Sequence, residues 1–261
     1  MIVIKFGGHA MTDEHGDFAQ AISEAIASGV SPIIVHGGGP QIAAALDEAG
    51  IDTHFLGGFR VTSPEAFDVV EKVLSENVGP AIVESLVAHG VNAEAISGRV
   101  SGTLIAEPLR KLVDGSSADL GLVGTITHVN PAAITALVQA GKVPVISPLA
   151  GDANGLVGYN VNADLAAAAV AGGIDAQWLI IMTDVEGIYR NWPDKASLIS
   201  SIGSAELESL KSSFAEGMAP KVQACLDAIK AGAKAVRIID GTNPSALKRA
   251  LLGEGGTLVV A

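Results

Sequence analysis

Ile33-Ile34-Val35-His36-Gly37-Gly38-Gly39-Pro40 reads as a strand, a glycine turn and the start of a helix. Successive apolar residues at 33–35 suit a strand covered on both faces of a parallel sheet. Proline is pre-organised for a first helical turn, and the pattern continues as a helix over 40–49. Met1-Ile2-Val3-Ile4, Val143-Pro144-Val145-Ile146, Trp178-Leu179-Ile180-Ile181 and Ala235-Val236-Arg237-Ile238-Ile239 repeat the strand pattern. Around them lie helical segments near 17–28, 40–49, 64–77, 78–89, 131–140, 162–171, 204–211 and 219–231. In the last of these, Val222, Cys225, Leu226 and Ile229 recur at helical spacing and Gly232 stops the helix, which makes Cys225 a core residue. Strand and helix alternate, so the chain is predicted to be α/β, with a mainly parallel sheet flanked by helices.

Two regions break the alternation. Residues 52–61 and roughly 102–129 carry glycine-punctuated, strand-like runs and read as hairpins or excursions. The turn cluster Ala150-Gly151-Asp152-Ala153-Asn154-Gly155 marks the softest boundary, between two halves of one compact domain.

The composition narrows the function classes. The 261 residues are 49% apolar and 17% charged, which supports a large core and excludes a disordered chain. The formal charge of −12 would repel nucleic acid or an anionic membrane, and no Lys/Arg run offsets it. A single cysteine excludes a disulfide framework and suits a reducing compartment. The longest apolar stretch, Leu165 to Ile174, is about half of the roughly 20 residues that span a bilayer. The N-terminal apolar run is interrupted by Lys5, too early for a signal peptide. A soluble, cytoplasmic protein is therefore expected, with no nucleic-acid or membrane partner.

Glycine-rich turns follow three of the strands: Gly7-Gly8, Gly37-Gly38-Gly39 and the Asp184 to Gly187 turn. Glycine allows close backbone approach, and a helix N-terminus offers unpaired N–H groups to an anion. Three such turns at the carboxyl ends of neighbouring parallel strands point to a phosphate-bearing ligand. No P-loop motif is present, and Gly37 to Ile42 matches G-x-G-x-x-G only up to its last position. There is no G-x-S-x-G elbow, and His and Cys show no metal-ligand spacing.

Several polar residues each admit two readings. Lys5 ends a strand that should be buried; it either snorkels to solvent or meets a phosphoryl group. Lys221 sits in the first turn of its helix, where the dipole disfavours a cation unless an anion is near. In Asn160-Val161-Asn162-Ala163-Asp164 the bland reading is helix capping by Asn162, with Asp164 favoured by the dipole. The functional reading gives the amides to a polar substrate and the carboxylate to the two lysines. Arg60 is either a surface charge or a planar fork for a carboxylate.

Taken together, IKFGGHAM, VHGGGPQI, GGFRVT, YNVNADLAAAA, TDVEGIY and EGMAPKVQAC resemble the amino acid kinase family from Met1 to about Val260, in order and spacing. Within the family the resemblance is to members that phosphorylate the γ-carboxylate of N-acetyl-L-glutamate with ATP in arginine biosynthesis. It implies an open three-layer αβα sandwich, with an acyl amino acid and dimerisation lobe over 1–150 and an ATP lobe over 151–261. It also implies Mg²⁺ dependence and a homodimer. Lys5 and Lys221 match the lysines that stabilise the transferring group, Asp164 the carboxylate that organises them, and Gly8 a backbone donor. Gly38, Gly39, Arg60, Asn160 and Asn162 match the acceptor site. Thr183, Asp184, Val185, Gly187, Ile188 and Tyr189, with Gly217 and Met218, match the ATP-binding segments. Chain start and first strand coincide, without the extra N-terminal helix of arginine-inhibited hexamers, so an arginine-insensitive dimer is expected. Arg99 and Val100 stand where many relatives carry acidic or glycine residues. A related branch acts on an aminoadipate carboxylate on a carrier protein, but usually lacks the intact Gly37-Gly38-Gly39-Pro40. A non-catalytic sensing module is the alternative of a different class.

Overall fold

The computed structural model describes residues 1–7, 15–112, 114–214 and 218–261. The first half contains β1 (Ile2–Phe6), α1 (Asp17–Ala27), β2 (Pro32–His36), α2 (Gly39–Glu48), β3 (Phe55–Leu56), β4 (Phe59–Arg60) and α3 (Pro64–Lys72). A π-helical stretch, Val73–Val78, leads into α4 (Gly79–Ala88), followed by β5 (Ala93–Ser97), β6 (Leu104–Pro108), β7 (Gly124–Val129) and α5 (Pro131–Gln139). Then come β8 (Val143–Ser147), β9 (Leu149–Gly151), β10 (Gly158–Asn160), α6 (Ala163–Gly173) and β11 (Trp178–Thr183). The chain ends with β12 (Ser201–Gly203), α7 (Ser204–Leu210), α8 (Ala219–Lys230), β13 (Ala235–Asp240), α9 (Ala246–Leu251) and β14 (Thr257–Val260).

The eight-stranded main sheet has the order β12-β14-β13-β11-β1-β2-β8-β5, and only the β13–β14 pair is antiparallel. Strand residues alternate between its faces. Val3, Ile33, Val35, Leu179 and Ile181 pack with α5, α6, α7 and α8. Ile2, Ile4, Phe6, Ile34, Ile180 and Met182 pack with α1, α2, α3, α4 and α9. The result is the αβα sandwich expected from the sequence. The parity also matters for chemistry: Lys5 lies between Val35 and Ile181 in register, on the face that α6 covers.

Every strand predicted from the apolar runs is present. Among the predicted helices, 64–77 and 78–89 are corrected: they form one unbroken helical run, with helical dihedrals through Lys72, Val73, Val78 and Gly79. Gly79-Pro80 looks like a break in sequence because proline lacks an N–H and crowds the carbonyl four residues back. The wider π turn just before it relieves that clash without ending the helix.

The irregular region 102–129 contributes β6 and β7, which join β9 and β10 in a second sheet of order β10-β9-β6-β7. The turn cluster at Ala150–Gly155 lies in β9 and its connection to β10, and these two strands pair antiparallel. The 52–61 excursion is the β3–β4 hairpin. The strands β5, β9, β10, β12 and β14 and the short helix α9 were not read from the sequence.

Cys225 is buried in α8, as its spacing predicted. Burial, reinforced by the negative charge of Asp164, pushes its thiol pKa well up. The single thiol is expected to ignore a disulfide reagent such as Ellman's in the native protein and to react stoichiometrically in guanidinium. Rapid native-state labelling would place Cys225 outside the core.

Candidate active site

β11, β1 and β2 are neighbours in the sheet, so all three glycine-bearing turns emerge side by side at their carboxyl ends. That is where ligands bind in open α/β sheets. Gly37 N–H donates to the Phe6 carbonyl at 2.7 Å and ties the first two turns together. His36 supports the second turn from below. It is buried, and burial draws its pKa down to about 4, so the ring is neutral at pH 7. Its Nδ1 lies 2.8 Å from the Gly37 carbonyl, which can only accept, so Nδ1 carries the proton. Gly38 caps α2; a Cβ there would sit 2.6 Å from Leu74 Cδ2 in the π turn. The start of α2 thus carries two glycines, with no side chain of their own beside the Gly38 and Gly39 N–H groups.

The charged centre lies beside these turns. Asn162 caps α6, its side-chain oxygen accepting from Asp164 N–H at 2.8 Å and Leu165 N–H at 3.2 Å. The capping reading of that stretch holds, and the same cap positions the Asp164 carboxylate. Asp164, in the first turn of α6, is buried between two ammonium groups. Lys5 Nζ is 3.0 Å from Oδ1, and Lys221 Nζ donates to Oδ2 at 3.3 Å. The Lys5–Oδ1 contact is an ion pair without an aligned hydrogen bond. Lys5 Nζ donates instead to the Met182 carbonyl at 3.3 Å, at the end of β11. Gly7 makes room for this: a Cβ there would lie 2.8 Å from both Lys5 Cε and Nζ. Burial of Asp164 opposes ionisation, but the charges of Lys5 and Lys221 outweigh it and hold the carboxyl below its ordinary range.

Two cavities flank this centre. One, of about 200 Å³, is lined by Lys5, Gly38, Gly39, Arg60, Asn160, Asn162 and Asp164 among others. Arg60 Nη2 donates to the Gly39 carbonyl at 3.3 Å, and its guanidinium stacks 4.6 Å from the Phe55 ring centroid. The hairpin thereby aims a half-buried cation into the cavity. The other, of about 400 Å³, is lined by Thr183, Asp184, Val185, Tyr189, Trp192, Met218 and Lys221. Tyr189 donates to Glu186 at 2.7 Å and meets Trp192 edge-on. Burial and that hydrogen bond push its pKa up to about 12.

All five residues expected at the acceptor site line the first cavity. Of the expected ATP-binding set, Thr183, Asp184, Val185, Tyr189 and Met218 line the second. Gly187 and Ile188 lie off it: Ile188 N–H donates to Thr257 Oγ1 at 2.8 Å, and a Cβ on Gly187 would meet that oxygen at 2.4 Å. They anchor the turn to β14. Gly8 and Gly217 fall outside the described residues. Trp192 was missed, since one exposed aromatic in a loop carries no sequence signal.

The amino acid kinase family model matches residues 1–240. This chain belongs to the amino acid kinase family. Acetylglutamate kinase from Nocardia farcinica is 48% identical to it, over 99% of this chain and 86% of that protein. Acetylglutamate kinase from Corynebacterium urealyticum is 45% identical, over 98% and 84% respectively. The crystal structure of smu.665 from Streptococcus mutans UA159 superposes with a TM-score of 0.84 at 29% identity, covering 100% of this chain and 98% of that one. In this chain the Lys5–Asp164–Lys221 centre lies at the junction of two cavities.

Asp164→Asn in this amino acid kinase leaves two ammonium groups facing each other near a buried amide. A loss of about 3–5 kcal/mol is expected from unpairing them. The carboxyl pKa is lower folded than unfolded, so the wild-type advantage is complete above the unfolded value near 3.8 and fades as pH falls through the folded value. Denaturant titrations of both proteins from pH 7 to pH 3 check this. A stability gap that is absent, or constant with pH, would contradict the ion-pair account.

Proposed function

We propose that this chain transfers the γ-phosphoryl group of ATP to the γ-carboxylate of N-acetyl-L-glutamate, giving N-acetyl-L-glutamyl 5-phosphate and ADP for arginine biosynthesis. The observation that carries the reading is the pairing of Lys5 and Lys221 on opposite oxygens of Asp164, with Lys5 in one cavity and Lys221 in the other. Family membership and the acetylglutamate kinase relatives supply the acceptor.

The chemistry fits what these residues can do. The acceptor carboxylate is already ionised at pH 7, with an ordinary pKa near ~4.3, so the reaction needs no general base. One carboxylate oxygen attacks the γ-phosphorus, and the bond to the β–γ bridging oxygen breaks, leaving with ADP. The obstacle is anion approaching anion. Lys5 compensates the charge on the acceptor side and Lys221 on the nucleotide side, while Asp164 fixes both in a dry setting. Two ammoniums on one carboxylate leave the junction positive. Arg60 offers a fork for the acceptor's α-carboxylate. Asn160, Asn162 and the Gly38 and Gly39 N–H groups bind its remaining polar atoms, and Gly8 donates to the transferring group.

Thr183, Asp184, Val185 and Tyr189, with Met218 and Gly217, hold the nucleotide, and Gly187 and Ile188 shape the turn that carries them. Mg²⁺ is part of this reading. Among the described residues no three His, Cys, Asp or Glu side chains gather to ligate a metal. This suits a Mg²⁺ bound through nucleotide phosphates and water, with Asp184 the nucleotide-cavity carboxylate nearest to hand. When bound it neutralises phosphate charge. A division into an acceptor and dimerisation lobe (1–150) and an ATP lobe (151–261) goes with this reading: the nucleotide cavity is lined wholly from after 150, while the acceptor cavity draws on both parts through Asn160 and Asn162. The β3–β4 hairpin, carrying Arg60, is placed to cover the acceptor and keep water from the acyl phosphate. The reading places the protein in the cytoplasm as a homodimer. Among the described residues no helix is long and apolar enough to cross a membrane.

Lys5→Ala and Lys221→Ala are each expected to lower kcat by on the order of 10²- to 10³-fold while circular dichroism stays native. Hydroxylamine trapping across a panel of acylated glutamate and aminoadipate acceptors should give hydroxamate most efficiently from N-acetyl-L-glutamate. Preferred turnover of an aminoadipate derivative would reassign the acceptor, and no turnover of any acceptor would favour a sensing role.

A further inference from the structure

Thr62 follows the β3–β4 hairpin and is completely buried, yet no part of the phosphoryl chemistry uses it. Its hydroxyl has one proton and two lone pairs. The proton is committed: Oγ1 donates to the Arg60 carbonyl at 2.8 Å. Towards Asn160 the same oxygen can therefore only accept, and Asn160 Nδ2 donates to it at 3.1 Å. The direction of the first bond thus decides which end of the Asn160 amide faces Thr62. The NH₂ group turns inward, and the amide oxygen, which accepts from no described residue, is left for the cavity.

The backbone fixes the pair as firmly as the side chains do. Thr62 N–H donates to the Leu120 carbonyl at 3.0 Å, and Leu122 N–H donates to the Thr62 carbonyl at 2.7 Å. Asn160 N–H then donates to the Leu122 carbonyl at 2.9 Å. Between them, Gly121 has φ +66°, and a Cβ there would lie 2.3 Å from the Thr62 carbonyl oxygen. Residues 120–123 thus form a bar between the hairpin carrying Arg60 and the strand carrying Asn160.

We propose that Thr62 is a positioning residue: its hydroxyl locks the Asn160 amide in one orientation and couples it to the Arg60 backbone, so that both acceptor-binding side chains are pre-set. The inference rests on the acceptor site assigned above. Thr62→Val keeps the shape and removes the hydroxyl; Thr62→Ser keeps the hydroxyl. The acceptor KM is expected to rise about tenfold in Thr62→Val, as for one lost buried hydrogen bond, with the ATP KM unchanged. Thr62→Ser should restore it. Because Thr62 acts partly through Asn160, Thr62→Val should raise the acceptor KM less in an Asn160→Ala background than in the wild type. Independently of turnover, the Asn160 side-chain NH₂ signal in nuclear magnetic resonance, identified by its loss in Asn160→Ala, should exchange slowly in wild type and quickly in Thr62→Val. An unchanged acceptor KM in a folded Thr62→Val, full additivity in the double variant, or an equally slow NH₂ in both proteins would each overturn the proposal. Slow exchange lost in Thr62→Val, alongside a wild type that does not phosphorylate N-acetyl-L-glutamate, would overturn the proposed function and leave the role of Thr62 standing.

Discussion

A buried carboxylate facing two ammonium groups is unstable unless the fold brings all three charged groups together at once. Asp164 meets that condition because three independent elements deliver the charges: the end of β1 brings Lys5, the first turn of α6 brings Asp164, and the first turn of α8 brings Lys221. None of the three tolerates much displacement. Lys5 needs the bare backbone of Gly7 beside its ammonium end, Asp164 needs Asn162 to hold the start of α6, and α8 needs its apolar stripe packed on α6. The cost of desolvating these charges makes the arrangement a poor source of stability and a good source of preorganised field.

The sheet topology turns this cluster into a junction. With β1 in the middle, β2 contributes the glycine turn of one cavity and β11 the polar turn of the other, so the two cavities open on either side of the same pair of cations. A net charge of −12 does not oppose this, since the positive field is needed over a few ångströms only. The hairpin bearing Arg60 and the strand bearing Asn160 come from distant parts of the chain. They are stitched through residues 120–123, which gives the otherwise irregular region after β6 a structural purpose.

Much of this was legible in the sequence because the central strands are long apolar runs and their turns are rich in glycine. A lysine closing such a run, as Lys5 does, stands out for the same reason. Other features depend on contacts between distant residues and left no local trace. Residues 64–77 and 78–89 read as two helices, and only the π turn over Val73–Val78 shows them to be one. β9, β10 and β12 span three residues each, too few for alternation to register. Gly187 resembles a ligand-binding glycine, whereas the contact that demands it is with Thr257. His36, Thr62 and Trp192 owe their places to hydrogen bonds or cavities that no spacing encodes.

The claim that the reaction passes between Lys5 and Lys221 is tested most directly by a crystal structure with ADP, aluminium fluoride and N-acetyl-L-glutamate bound together. The account predicts the planar fluoride group in line between the γ-carboxylate oxygen and the ADP β-phosphate, with both ammonium nitrogens within about 3 Å of it. A fluoride group bound away from either lysine, or an acceptor carboxylate outside the cavity lined by Arg60 and Asn160, would contradict it.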